Sequence, residues 1–213
     1  MKDKLSKYAS IEYTFTKKEK LFICFFIMIV SGIFGFIYEF LFYYFNSGFK
    51  EFYWRGANFI PWIDIYALGA LIIYKLTFKY RKSPSRVFFI AGISCGILEY
   101  LAGLLIFILR NGYRSWNYNN EILNFGNIQG FVCLRSVLIF AISGLILIYL
   151  VLPFIFKLIK SKNFNTIFII TTIIISIILV DEVYNLVFAR IFDIPSAGSI
   201  YSKHGILYHN SNI

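Results

Sequence analysis

Five apolar stretches, each of roughly 20 residues, alternate with shorter polar segments, and that length of helix crosses the ~30 Å of hydrocarbon in a bilayer. They run from Leu21 to Phe45, Pro61 to Phe78, Val87 to Leu109, Val132 to Phe156 and Thr166 to Ala189. The pattern predicts an all-α, polytopic membrane bundle of about five transmembrane helices. A polar segment precedes it (residues 1–20), the transmembrane domain occupies 21–189, and a tail follows (190–213). The first stretch is longer than a signal-peptide core and has no small-residue cleavage site, so it reads as a retained helix. Pro61 suits a helix start, because a proline at the first helical position forfeits no hydrogen bond; Pro153, near the end of the fourth run, is expected to kink or close it.

Composition agrees. Hydrophobic residues make up 59% and charged residues 15%, against roughly half and a quarter in soluble domains. The net charge of +10 does not point to nucleic acid, since the basic residues flank apolar runs and form no recognition motif. Cys24, Cys95 and Cys133 lie in or beside the apolar runs without a CxxC pair, and His204 and His209 have no ligand pattern around them. No disulfide framework, metal site or cofactor follows from them.

The cations orient the chain. Fourteen of the 21 Lys and Arg residues lie in the N-terminal segment, in the connection from Lys75 to Arg86, and at Lys157, Lys160 and Lys162. Cytoplasmic loops carry such an excess, so a cell-membrane protein with a cytoplasmic N terminus and, after five crossings, an external tail is expected. Outside the N-terminal segment the acids are Glu39, Glu51, Asp64, Glu99, Glu121, Asp181, Glu182 and Asp193. In the five-span arrangement all of them fall in outer loops, the tail, or the central-to-outer part of a helix.

Two acids sit on glycine-lined faces. Gly32, Gly35 and Glu39 share one helical face, as do Gly92, Gly96, Glu99 and Gly103. Glycines at this spacing let helices approach closely in lipid, so these carboxylates should face the bundle. The stretches GIFGFIYE and GISCGILE match in placing Glu seven residues after the first Gly, consistent with a tandem repeat of two hairpins plus a fifth helix. A carboxylate inside a bilayer must be protonated, paired or wetted, which marks a functional or a helix-locking position. Arg55, Arg114 and Arg135 are the available partners. Asp64 falls in the first turn of the second helix, where the macrodipole favours an anion. Trp54 and Trp62 suit the interface. The long connection around Trp116, Tyr118 and Asn127 should fold back over the outer face. Of the neighbours Asp181 and Glu182, about 100° apart on a helix, Asp181 is the preferred contributor.

In the order and spacing of FGFIYE (Phe34 to Glu39), RGANFIPWIDIYALGA (Arg55 to Ala70), GILEYLAG (Gly96 to Gly103) and SWNYNN followed by NIQGFVCL, the chain resembles the bacterial multi-pass family described as putative ABC-transporter type IV. Where that family has Trp-Asp-Tyr-Ser, this chain has Trp116, Asn117, Tyr118 and Asn119, losing an acid. The resemblance implies a permease-like membrane component. Because no GxxxxGKS or GxxxxGKT phosphate loop occurs in the sequence, ATP hydrolysis would need a separate cytoplasmic ATPase subunit, docking at the basic loop around Lys79 to Arg86. Membrane lipids and further copies of the chain, as a homo-oligomer, complete the expected partners. The expected substrate site combines Glu39, Arg55, Asp64, Glu99, Arg135, Trp116, Tyr118, Asn127 and Asp181. The rival readings are an intramembrane enzyme acting on a lipid or cell-wall precursor, with Glu39 or Glu99 as acid or base, and a regulatory or scaffolding subunit in which the charges only hold helices together.

Overall fold

The computed structural model describes residues 12–50, 53–56, 58–204 and 206–208. Most of the N-terminal basic segment, Glu51, and the end of the tail with His209 lie outside the described residues. The architecture is helical: α1 (Lys17–Asn46), α2 (Asp64–Thr77), α3 (Pro84–Leu109), α4 (Leu134–Ile159), α5 (Phe164–Ile191) and the short α6 (Ala197–Lys203). Four of these, α1, α3, α4 and α5, are long and apolar enough to cross a membrane. The second apolar run yields a shorter helix than expected. Pro61 does not begin it; the helix starts at Asp64 and spans 14 residues, about 21 Å at 1.5 Å per residue. The preceding residues are held elsewhere: the main-chain N–H of Ile63 donates to the Gly32 carbonyl at 3.1 Å, and the Trp62 indole donates to the Met28 carbonyl at 3.1 Å.

The long helices expose apolar side chains, as lipid-facing helices must. On α3, Phe89, Ile93, Ile97, Leu101, Leu105 and Ile108 form an exposed stripe, while Ala91, Gly92, Cys95, Gly96, Glu99 and Gly103 are buried. The chain is a membrane protein of the expected all-helical class.

Two compact units divide the chain. The first comprises residues 1–23, 69–164 and 211–213. Its centre is the antiparallel pair α3–α4, where small residues bring the backbones together. A β-carbon on Gly92 would stand 3.1 Å from that of Ala141, and one on Gly144 only 2.4 Å from that of Ala91. In lipid there is no hydrophobic drive between helices, so this close van der Waals fit replaces it. At the lysine-rich end, Tyr13 and Phe15 pack at a tilt against Phe156, and the Arg81 guanidinium lies 4.6 Å from the Phe78 ring. Pro153 neither ends α4 nor leaves it regular. A π-helical turn at Leu147–Val151 precedes it, and the helix then runs on to Ile159. The wider turn accommodates the missing N–H and the ring's clash with the carbonyl four residues back.

The second unit comprises residues 24–68 and 165–210. Its centre is the glycine face of α1. Trp62 lies over Gly32 and Tyr66 over Gly35, each so close that a β-carbon would fall within 2.0–2.2 Å of the ring. Trp62, expected at the interface, is therefore buried, in a cluster with Ala67 and Ile178. The tail folds into the same unit. The Ala197 N–H donates to Asn185 Oδ1 at 2.7 Å, and the Tyr201 hydroxyl donates to the Phe59 carbonyl at 3.0 Å. Residues 207–208 pair in parallel with 53–54.

Candidate functional site

In the second unit, α1 and the loop that follows it bring Glu39 and Arg55 together. Arg55 is 6% exposed and Glu39 21%; Nε and Nη2 of the guanidinium reach Glu39 Oε2 at 2.8 and 2.7 Å. One turn along α1, the Tyr43 ring lies 3.9 Å beneath the guanidinium. A planar cation held at its edge by a carboxylate and on its face by an aromatic ring needs Arg; Lys could not do both.

Next to this pair, α5 delivers two further carboxylates to the loop. Asp181 accepts the main-chain N–H groups of Phe59 (3.1 Å) and Ile60 (2.7 Å), and the Asn185 amide at 2.7 Å. Glu182 accepts the side-chain amide of the buried Asn58. The two can act together despite their divergent directions because the loop lies across the helix end and receives one at its main chain and the other at a side chain. Asp64 opens α2, its Oδ1 accepting the Ile65 N–H at 2.7 Å. On α6, burial, and then the nearby Asp181 charge, raises the Tyr201 phenol above its ordinary pKa, so at neutral pH it remains an O–H donor. Of the expected site residues, Glu39, Arg55, Asp64 and Asp181 are thus gathered in this unit. Glu182, ranked behind Asp181 in the sequence, joins them too, and Asn58, Asn185 and Tyr43 join them unforeseen. Tyr43 and Asn185, each four residues after its carboxylate on the same helix, carried a local signal.

The remaining expected residues form a separate cluster in the first unit. Glu99 on α3 is 6% exposed, and its Oε1 accepts the Tyr118 hydroxyl at 2.6 Å. Arg135 pairs with Glu121 at 2.5 Å, donates to the Ile122 carbonyl, and lies 5.3 Å from the Tyr118 ring. Of the arginines available to the two helix carboxylates, Arg55 reaches Glu39. Arg135 pairs instead with loop Glu121, and Arg114 donates to the Gln129 carbonyl beside Phe131. The long connection builds its own frame. Trp116 donates to the Phe131 carbonyl, Asn127 donates to Asn119 and accepts from the Gly130 N–H, and Asn117 accepts from the Asn119 N–H. Gly130 is required: its φ is 78°, and a β-carbon would meet Asn117, Arg114 and Asn119 within 2.8 Å. Asn117 keeps the acceptor oxygen that an aspartate would supply there, without its charge. Among the described residues no group of three or more His, Cys, Asp or Glu is placed to hold a metal ion.

The family model described as Putative ABC-transporter type IV matches residues 23–186. The chain belongs to that family. The matched span holds both polar clusters, from Glu39 to Asn185, and excludes α6. No curated protein and no solved structure matches the chain.

Proposed function

We propose that this member of the putative ABC-transporter type IV family is the membrane-embedded, permease-like component of a transport system of the cell membrane. The observation that carries the reading is the Glu39–Arg55 pair, 21% and 6% exposed, in a unit whose long helices are apolar enough to cross a membrane. Ionisable groups are kept in such surroundings at a cost of roughly 2.5–3.5 kcal/mol each on insertion scales, and a polar substrate offers a use for them. In this reading Arg55 recognises an anionic or carbonyl group and Glu39 a donor. Asp181 holds the loop that presents Arg55, and the aromatic residues shield the site. The N terminus is cytoplasmic, and a separate ATPase subunit, docked on the basic loop from Lys79 to Arg86, drives access changes.

Purification of the chain from its native membranes in mild detergent tests the assembly. An ATPase should co-purify, and charge reversal at Lys79 and Lys82 should release it while membrane levels hold. If no ATPase co-purifies under conditions that retain bound lipid, the ABC-type reading fails. A second reading, an intramembrane enzyme acting on a lipid or cell-wall precursor, draws on the 2.6 Å contact between Glu99 and Tyr118, a buried carboxyl and phenol able to relay a proton. Deletion of the gene would then change the membrane lipid profile, and Glu99→Gln would reproduce that change.

A further inference from the structure

In the first unit, α3 and α4 are out of step at one end. Val137, in the first turn of α4, packs on Gly96, where a β-carbon would stand 3.0 Å from it. Leu109, the last residue of α3, lies about 20 Å further along that helix at 1.5 Å per residue. The connection between the two helices accompanies this stretch. Tyr118 donates to Glu99 at 2.6 Å and Tyr100 to the Gln129 side chain at 2.9 Å. A β-carbon on Gly103 would meet the Phe131 and Trp116 rings at 2.8 and 3.1 Å, and the Phe131 ring lies 5.7 Å from that of Phe107. On the same stretch of α3, Leu105, Ile108 and Leu109 are apolar and exposed. A helix that is lipid-facing to its last residue puts a connection packed below its end at bilayer depth as well.

The connection has the chemistry for that depth. Irregular backbone is tolerated there only where its polar groups find partners within the protein. Side chains supply them: Arg135 donates to the Ile122 carbonyl at 2.8 Å, Asn124 to that of Tyr118 at 2.9 Å, Arg114 to that of Gln129 at 2.7 Å and Trp116 to that of Phe131 at 2.9 Å. The residues from Ile122 to Leu134 carry no charge, and Glu121 and Arg135, which flank them, pair with each other. Asn124 and Asn127 are spent on this frame, while Ile122, Leu123, Phe125 and Ile128 are each at least half exposed. A loop bathed in water has the opposite arrangement.

The exposed patch also continues a face that already meets lipid. The Leu134 N–H donates to the Phe125 carbonyl at 3.0 Å, and a β-carbon on Gly126 would lie 3.4 Å from that of Leu134. Leu134 heads the exposed stripe Leu134, Leu138 and Ile142 of α4. A patch that docks protein is rimmed by polar residues; this one runs straight into the lipid-facing stripe. We propose that the segment from Ile122 to Cys133 is re-entrant. It dips into the leaflet at this end of α3 and α4 and sets Ile122, Leu123, Phe125 and Ile128 against phospholipid acyl chains.

The test uses the full chain in phosphatidylcholine–phosphatidylglycerol vesicles, lacking Cys24 and keeping the buried Cys95 and Cys133. Ile122→Cys, Leu123→Cys, Phe125→Cys and Ile128→Cys each carry one nitroxide spin label. Leu138→Cys gives the lipid reference and Asn163→Cys, exposed between α4 and α5, the aqueous one. Power saturation reads collisions with oxygen, which partitions into lipid, and with a water-soluble nickel chelate. The four labels should match Leu138→Cys, gaining oxygen collisions and losing nearly all of the nickel collisions seen at Asn163→Cys. Nickel collisions as frequent as at Asn163→Cys would overturn the proposal by placing the segment in water. Labels reached by neither reagent would overturn it too, because they mark contact with protein, a second copy included. Size exclusion shows whether each variant folds, and the four positions report independently, so one that fails is read from the others. The readout needs no transport activity and no ATPase, so its failure leaves the transport reading standing.

Discussion

Both carboxylate oxygens of Asp181 accept main-chain N–H groups from the loop that carries Arg55, so the residue acts first as an anchor. Asp181→Ala strands those donors at roughly 1–3 kcal/mol each, whereas Asp181→Asn keeps one acceptor. Cys95 and Cys133 are buried, so a thiol-reactive dye reports unfolding. The expected order of Tm is wild type, then Asp181→Asn, then Asp181→Ala, the last lower by about 5 °C or more. Arg55 and Glu39 make a second case. Arg55→Met leaves a carboxylate unpaired, for which about 3–5 kcal/mol is usual in a buried site; the partial exposure of Glu39 places the loss at the low end. Adding Glu39→Gln should restore about 1 kcal/mol or more, and a double variant no more stable than Arg55→Met would show that the pair does not bear on stability. The glycine faces made Glu39 and Glu99 legible in the sequence, because helical spacing is local information. Their surroundings were less so. Glu182 meets Asn58 across 124 residues and Glu99 meets Tyr118 across a turn of loop, separations that no periodicity encodes.

Among the elements, α1, α3, α4 and α5 could be read from apolar length alone, since a bilayer imposes it. The start of α2 could not. Its preceding residues, Pro61 to Ile63, are apolar and fit a helix by composition, yet hydrogen bonds to Met28 and Gly32 keep them out of it. The π-helical turns at Leu147–Val151 and Tyr184–Phe188 were equally hidden, although Pro153 marked the first. The α3–α4 contact depends on small residues of which helical spacing marks Gly92 and Gly96 but not Gly144. A methyl group on Gly144 would lie 2.4 Å from the Ala91 β-carbon, and overpacking of this kind costs about 1–3 kcal/mol. Gly144→Ala should therefore lower the Tm by several degrees, and adding Ala91→Gly should recover most of it by exchanging which helix carries the methyl. Failure of that rescue would show that the two helices do not meet there.

For the whole molecule, the arrangement in the membrane turns on α2. Its 14 residues and the following 3-10 turn at Phe78–Tyr80 together span about 27 Å at their respective rises. Snorkelling of Lys75 and Lys79 can make up the remainder, because long basic side chains reach the headgroups from a slightly short helix. Charge argues for the same arrangement. If α2 crosses, the cations from Lys75 to Arg86 and those at 157–162 share the side of the basic N terminus; if it does not, both groups fall on the face opposite the N terminus, against the usual bias. Cysteines introduced one at a time at the exposed positions Asn46, Ser85, Asn120 and Asn163, in a background lacking Cys24 and keeping the buried Cys95 and Cys133, distinguish the two. A membrane-impermeant maleimide applied to intact cells should label Asn46→Cys and Asn120→Cys, with Ser85→Cys and Asn163→Cys reacting only after permeabilisation. Labelling of Ser85→Cys and Asn163→Cys from outside, with Asn120→Cys protected, would instead mean that α2 re-enters without crossing.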